Sequence, residues 1–139
     1  MKSFFVIAAL AACALAQRLH IVEPAAGATV QSGQQFTLEL RQDQTTSSLQ
    51  QTSVLVAVNS CYDSCSDPTS WGPATVLYNG AFNPQYNSSA PQKGLYQDLQ
   101  IQLPELQAGG AVIQVAHQFK LGAVLTPVFD YTMQLVNVD

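Results

Sequence analysis

The sequence predicts an all-β protein: an antiparallel Ig-like/Fn3-like β-sandwich of about seven strands, following a cleaved signal peptide. Three observations carry that prediction. Apolar and polar residues alternate with period two through several short segments. Glycine, proline and Asn-Gly signals fall between those segments, and no stretch repeats apolar residues at helical spacing. Side chains of a strand alternate between faces, so a half-buried antiparallel strand alternates in polarity.

The elements follow in order. Leu19 to Val22 is a short first strand. In Phe36 to Arg41, Phe36, Leu38 and Leu40 share one face, while Thr37, Glu39 and Arg41 share the other and point outward. Val54 to Val58 is apolar on both faces and suits a central strand. Ala74 to Tyr78 is the fourth, and Asp98 to Leu103 the fifth, with Leu99, Ile101 and Leu103 inward. Ala111 to Phe119 is the sixth. The last strand sets Phe129, Tyr131, Met133 and Leu135 on one face and Asp130, Thr132 and Gln134 on the other. Breaks are expected at Pro24 with Gly27, Gly33, Asn79-Gly80, Pro91 with Gly94, Gly109-Gly110, Gly122 and Pro127. Seven short strands in a chain of this size suit a two-sheet sandwich. A domain of about 120 residues hides roughly two thirds of its unfolded surface, so burial alone can hold it.

The first residues read differently. Lys2 precedes an apolar run from Phe4 to Leu15, and Ala14-Leu15-Ala16 is the small-x-small pattern of a cleavage site. Residues 1–16 are therefore expected to be a signal peptide and 17–139 a single secreted domain, without a membrane span or GPI-anchor tail. Loss of Lys2 leaves four basic against nine acidic residues, so the formal net charge moves from −4 to −5. With no basic stripe, nucleic acid and anionic membrane surfaces are excluded as partners.

Cys13 departs with the signal, leaving Cys61 and Cys65. An even pair in an oxidising compartment reads as a disulfide. Two thiols and two distant histidines fall short of a structural zinc set, and the spacing is not the C-x-x-C of redox sites. The oxygen-rich loop of Asn59, Asp63, Ser64, Ser66 and Asp67 lacks an EF-hand pattern, and Asx turns account for it. Asn87-Ser88-Ser89 is a glycosylation sequon within a long irregular stretch, Asn79 to Tyr96.

Two stretches carry a resemblance. Ile21-Val22-Glu23-Pro24, Gly27 and Ser32-Gly33 ahead of an alternating strand resemble the start of a fungal secreted Ig-like domain. That domain is the N-terminal module of Ser/Thr-rich GPI-anchored and glucan-synthesis-associated cell-wall proteins. Trp71-Gly72, Val76 to Gly80, Tyr96-Gln97-Asp98, Ala116-His117 and Leu121-Gly122-Ala123 are similar to a family of small secreted fungal proteins with no assigned activity. The resemblance implies an extracellular or cell-wall setting and transfers no catalytic residue. The chain departs from the anchored proteins in lacking a Ser/Thr-rich stalk and an anchor signal.

Among residues that carry chemistry, the aromatics stand out. Tyr62, Trp71, Tyr78, Phe82, Tyr86 and Tyr96 crowd into one part of the sequence. Such rings supply contact area for sugars or proteins at low entropic cost, so Tyr62, Trp71, Phe82, Tyr86 and Tyr96 are expected to form a binding surface. Some would instead cap the core, as Trp71 before Gly72-Pro73 is placed to do. The expected function is non-enzymatic binding of a cell-wall polysaccharide or an extracellular protein, without a cofactor. The alternative is copper held by His20 and His117, as in secreted sandwich monooxygenases that act on polysaccharides. Those use a histidine at the mature N-terminus, whereas cleavage before Gln17 leaves His20 fourth. His117 shares parity with Ile113, Val115 and Phe119, which favours a core imidazole over a ligand. Hydrolysis lacks support: there is no Gly-x-Ser-x-Gly, and nothing draws Glu23, Glu39 and Glu105 together.

Overall fold

A computed structural model describes residues 19–44 and 48–139. The expected signal peptide and its cleavage site lie outside the described residues. Among the described residues nine strands form two sheets: β1 (Leu19–Glu23), β2 (Thr29–Val30), β3 (Gln35–Gln42), β4 (Leu49–Ser60), β5 (Thr75–Ala81), β6 (Gln85–Tyr86), β7 (Leu95–Gln102), β8 (Gly109–Leu121) and β9 (Thr126–Val138). Their orders are β1-β3-β7-β6 and β2-β9-β8-β4-β5. The chain is a β-sandwich, and no α-helix occurs among the described residues. Pairing is antiparallel except for the short parallel contact of β2 with β9, Thr29 opposite Asn137. The expected strands are all present, most of them longer than their alternating centres. β2 and β6 are additions, each only two residues long.

The inward parity is as expected in most strands. Leu38 and Leu40 of β3 face Val54, Val56 and Val58 of β4 and Ile113 and Val115 of β8. Ile101, Leu99, Leu19 and Ile21 complete the core from the four-stranded sheet. Each such side chain taken fully out of water contributes about 1.5–3 kcal/mol.

Three expectations are corrected, and β9 takes an orientation that its alternation left open. Asn79-Gly80 is no turn: β5 runs through it, with Gly80 opposite Val54. The Tyr78 hydroxyl lies over Gly80, where a Cβ would come within 2.7 Å of it, and donates to the Ala81 carbonyl. Glu39 does lie on the outer side of β3 but is buried, because the turn at Pro91–Lys93 brings the Lys93 ammonium to 2.5 Å from its carboxylate. That carboxylate holds the ammonium above its ordinary range. Phe82 is in the core, not on a binding surface. Beyond β5 the chain dips inward at Phe82 and again at Pro84, while the Asn83 amide donates to Gln97 Oε1. Finally, Phe129, Tyr131, Met133 and Leu135 are exposed on the outside of the five-stranded sheet. Their strand turns Asp130 and Gln134 inward, where β1 passes. Asp130 Oδ2 accepts from the Leu19 amide at 2.8 Å, and Gln134 Nε2 donates to the Pro24 carbonyl at 3.4 Å. Backbone polar groups at that flank take polar side chains, and the apolar set is left outside.

Candidate functional site

A concavity sits at one end of the sandwich. Three segments build it: the end of β3 with Gln42, Asp43 and Gln44; the start of β4 with Leu49 and Gln51; and Pro84, Tyr86 and Leu95 from β6 and the start of β7. Its volume is about 480 Å³, within the range of small-ligand sites. Tyr86 and Leu95 are ladder partners and share a face, which carries both into the cleft. Tyr86 is exposed; Gln42, at the inner parity of β3, is buried.

One irregularity in β4 aims a second amide into the same space. Between Gln51 and Ser53 the β4–β8 register slips, so Thr52 is an extra residue. The bulge lets Gln51, opposite Phe119, and Val54, opposite His117, both take the inward side. Gln51 Oε1 then meets His117 Nε2 at 2.7 Å. His117 is fully buried behind it, stacked on Phe119 at 4.8 Å and edge-to-face with Phe82 at 5.2 Å. Its Nδ1 is buried without a hydrogen-bond partner. Burial pushes this imidazole down to about 4, against a weaker upward pull from Asp130. With Gln51 Oε1 as an acceptor, the neutral ring carries its proton on Nε2. At the rim, His20 Nε2 lies 2.9 Å from Asp43 Oδ2, both side chains about half exposed. Each histidine thus touches one residue of the cleft, from a different sheet, and neither lines it. His117 is a core imidazole, and the two rings do not form one site.

The opposite end carries the other sequence signals. Cys61 and Cys65 are joined by a disulfide. At ~3.3 Å per residue, the length of β4 separates this loop from the cleft by about 35 Å. The loop packs on the start of β8: Cys61 donates its amide to the Gly110 carbonyl at 2.9 Å, and a Cβ on Gly110 would approach Cys65 Sγ within 2.7 Å. Trp71 pairs with Cys61 and donates its indole N–H to the Cys65 carbonyl at 3.0 Å. Asp67 caps the 3-10 turn Pro68–Ser70, accepting from the Thr69 amide at 2.9 Å and hydroxyl at 2.8 Å. The Thr69 amide holds its carboxyl below the usual range. From this loop a polar chain crosses the outer face of the five-stranded sheet. Asn59 Nδ2 donates to the Gly72 carbonyl at 2.8 Å, Gln114 Nε2 donates to Asn59 Oδ1, and the Tyr131 hydroxyl donates to Gln114 Oε1 at 2.7 Å.

The five aromatics expected to form one surface are therefore dispersed. Tyr62 and Trp71 belong to the disulfide loop, Phe82 to the core, and Tyr86 to the cleft. Tyr96 faces outward from β7 beneath Lys93, whose ammonium is 4.7 Å from the ring centroid. Asn87 is exposed beside Tyr86; its Nδ2 donates to the Tyr96 hydroxyl at 3.2 Å, and its Oδ1 accepts from the Ser89 amide at 2.9 Å. The glutamines of the cleft carried no motif of their own in the sequence.

No family model and no curated protein matches the chain. Solved structures do. The cellulose-active LPMO CelS2, determined in complex with copper, is similar with a TM-score of 0.54 and 16% identity over 81% of this chain and 53% of its own. The superoxide reductase (neelaredoxin) of Ignicoccus hospitalis is similar with a TM-score of 0.51 and 13% identity, over 88% of this chain and 82% of its own. A point variant of that reductase gives a TM-score of 0.54 and 14% identity over the full length of both. The chain spans about half the length of the LPMO. What these likenesses establish is the fold.

Proposed function

We propose that this protein is a secreted, non-enzymatic binding module that takes a glycan of the cell wall at the end cleft. The observation that carries the reading is the lining: three glutamine amides and one carboxylate beside Tyr86, with Leu49, Pro84 and Leu95 between them. An amide both donates and accepts, as sugar hydroxyls require, and a tyrosine face packs against the C–H face of a pyranose ring. An acidic chain without a basic patch is suited to neutral polymers. Calorimetric titration with soluble β-glucan and chitin oligosaccharides tests it. The wild type is expected to bind one series and Tyr86→Ala to weaken that binding about tenfold, with Trp71→Ala without effect. Binding of neither series would turn the reading towards a protein ligand.

The fold likeness to a copper-containing LPMO supports a second reading, copper binding. The donors present do not fit a joint site, because His117 is enclosed between two phenylalanine rings. The reading is thereby confined to His20 with Asp43. Copper(II) titration followed by electron paramagnetic resonance separates the cases: on this reading His20→Ala abolishes a nitrogen-coordinated signal and His117→Gln leaves it unchanged.

A further inference from the structure

The outer face of the five-stranded sheet is used by neither reading. On β9, Phe129 is 73% exposed, Tyr131 52%, Met133 53% and Leu135 44%; Leu55 of β4 and Val76 of β5 are exposed on the same side. The ladders place them in rows. Leu55, Ala116 and Tyr131 are successive partners, then Ala57, Gln114 and Met133, flanked by Ser53, Gln118 and Phe129 and by Asn59, Val112 and Leu135. None of these residues is charged. At such exposures six side chains present roughly 600 Å² of mostly apolar surface, the upper end of what a monomer usually shows.

We infer that this face is the interface of a two-fold homodimer, two five-stranded sheets packing face to face. Three features select a second copy as the occupant. The area suits one: two such faces together bury about 1,200 Å², the lower end of the range for a specific interface. The charge suits one as well. A chain with formal net charge −4 repels its own copy, and a face whose rows hold no acidic residue and border Lys120 brings two copies together with the least contact between acidic groups. The relief is self-complementary. β9 forms a ridge of four large side chains, and the Tyr131 hydroxyl reaches across β8 to Gln114. A hollow of about 260 Å³ lies between Phe129 and Leu55. A two-fold axis along the strands, midway between Phe129 and that hollow, seats each copy's Phe129 in the other copy's hollow, as an isologous contact requires.

Sedimentation velocity over a wide concentration range, on protein recovered from expression of the full chain in a secreting host, tests the dimer. The wild type is expected to pass from monomer to dimer at micromolar concentration, and the dimer to persist in high salt. Phe129→Glu and Met133→Glu each shift the midpoint upward at least tenfold. Val124→Glu, at the β8–β9 hairpin tip, leaves it in place. Matched circular dichroism confirms folding, and Met133→Glu carries the test if Phe129→Glu does not fold. A wild type that stays monomeric throughout overturns the inference. So does a dimer indifferent to both substitutions on the face.

Discussion

β3 and β9 alternate in the same way and use the alternation in opposite senses. In β3 the apolar set, Leu38 and Leu40, is wholly buried between the sheets. In β9 the apolar set from Phe129 to Leu135 looks outward, while Asp130, Thr132 and Gln134 look in. Period two establishes that a strand has two unlike faces; it does not say which one meets the core. That is decided by what lies opposite. β3 faces the valines of β4 and β8, whereas the inward side of β9 meets the backbone of β1 and of Pro24 just beyond it, where Asp130 accepts from the Leu19 amide and Gln134 donates to the Pro24 carbonyl. Further along β9 the inward seats return to Val136 and Val138, both in the core.

The comparison can be broken by substitution. Leu38→Ala is expected to show the largest effect, about 2–5 kcal/mol of unfolding free energy by urea titration, since it opens a cavity in the interior. A smaller, pH-dependent effect belongs to His117, inward on β8 opposite Asp130. Its imidazole, ordinarily near 6.5, is held down to about 4 by burial. Between those values the unfolded chain holds a proton that the folded chain rejects. Stability from this source is complete above about pH 6.5 and drains away as pH falls towards 4. Replicate urea titrations across that window should show the slope, and His117→Gln should flatten it. The smallest effect is expected from Met133→Thr in dilute protein, below about 1 kcal/mol, because an exposed strand position loses no packing. If Met133→Thr cost as much as Leu38→Ala, the outward assignment of β9 would be wrong.

Much of the architecture was legible: the sandwich, the alternation of β3 and β7, the inward parity of His117 and the Cys61–Cys65 pairing all follow from local pattern. What escaped is what depends on distant neighbours. β2 and β6 are too short to display a period. Glu39 looked solvent-facing because the turn bearing Lys93 lies 54 residues away. Asn79-Gly80 has the chemistry of a turn, yet it is held extended by pairing with β4. The aromatics clustered in sequence but were dispersed because β5 carries the chain from the disulfide loop to the cleft end. The cleft joins residues 42–51, 84–86 and 95, and no single stretch announces it. Phe82 did have a local cue: with Pro84 it continues an every-other-residue inward rhythm past the end of β5.

The run of donors from Tyr131 through Gln114 and Asn59 to the Gly72 carbonyl is a relay with two ends. Anything that claims the phenolic hydroxyl at one end releases Gln114, which then has no reason to hold the Asn59 amide in place. Gly72 would feel the change, and with it the stapled loop. Tyr131→Phe is accordingly expected to speed amide hydrogen exchange in the stapled loop, and unchanged exchange would show that the links of the relay hold independently.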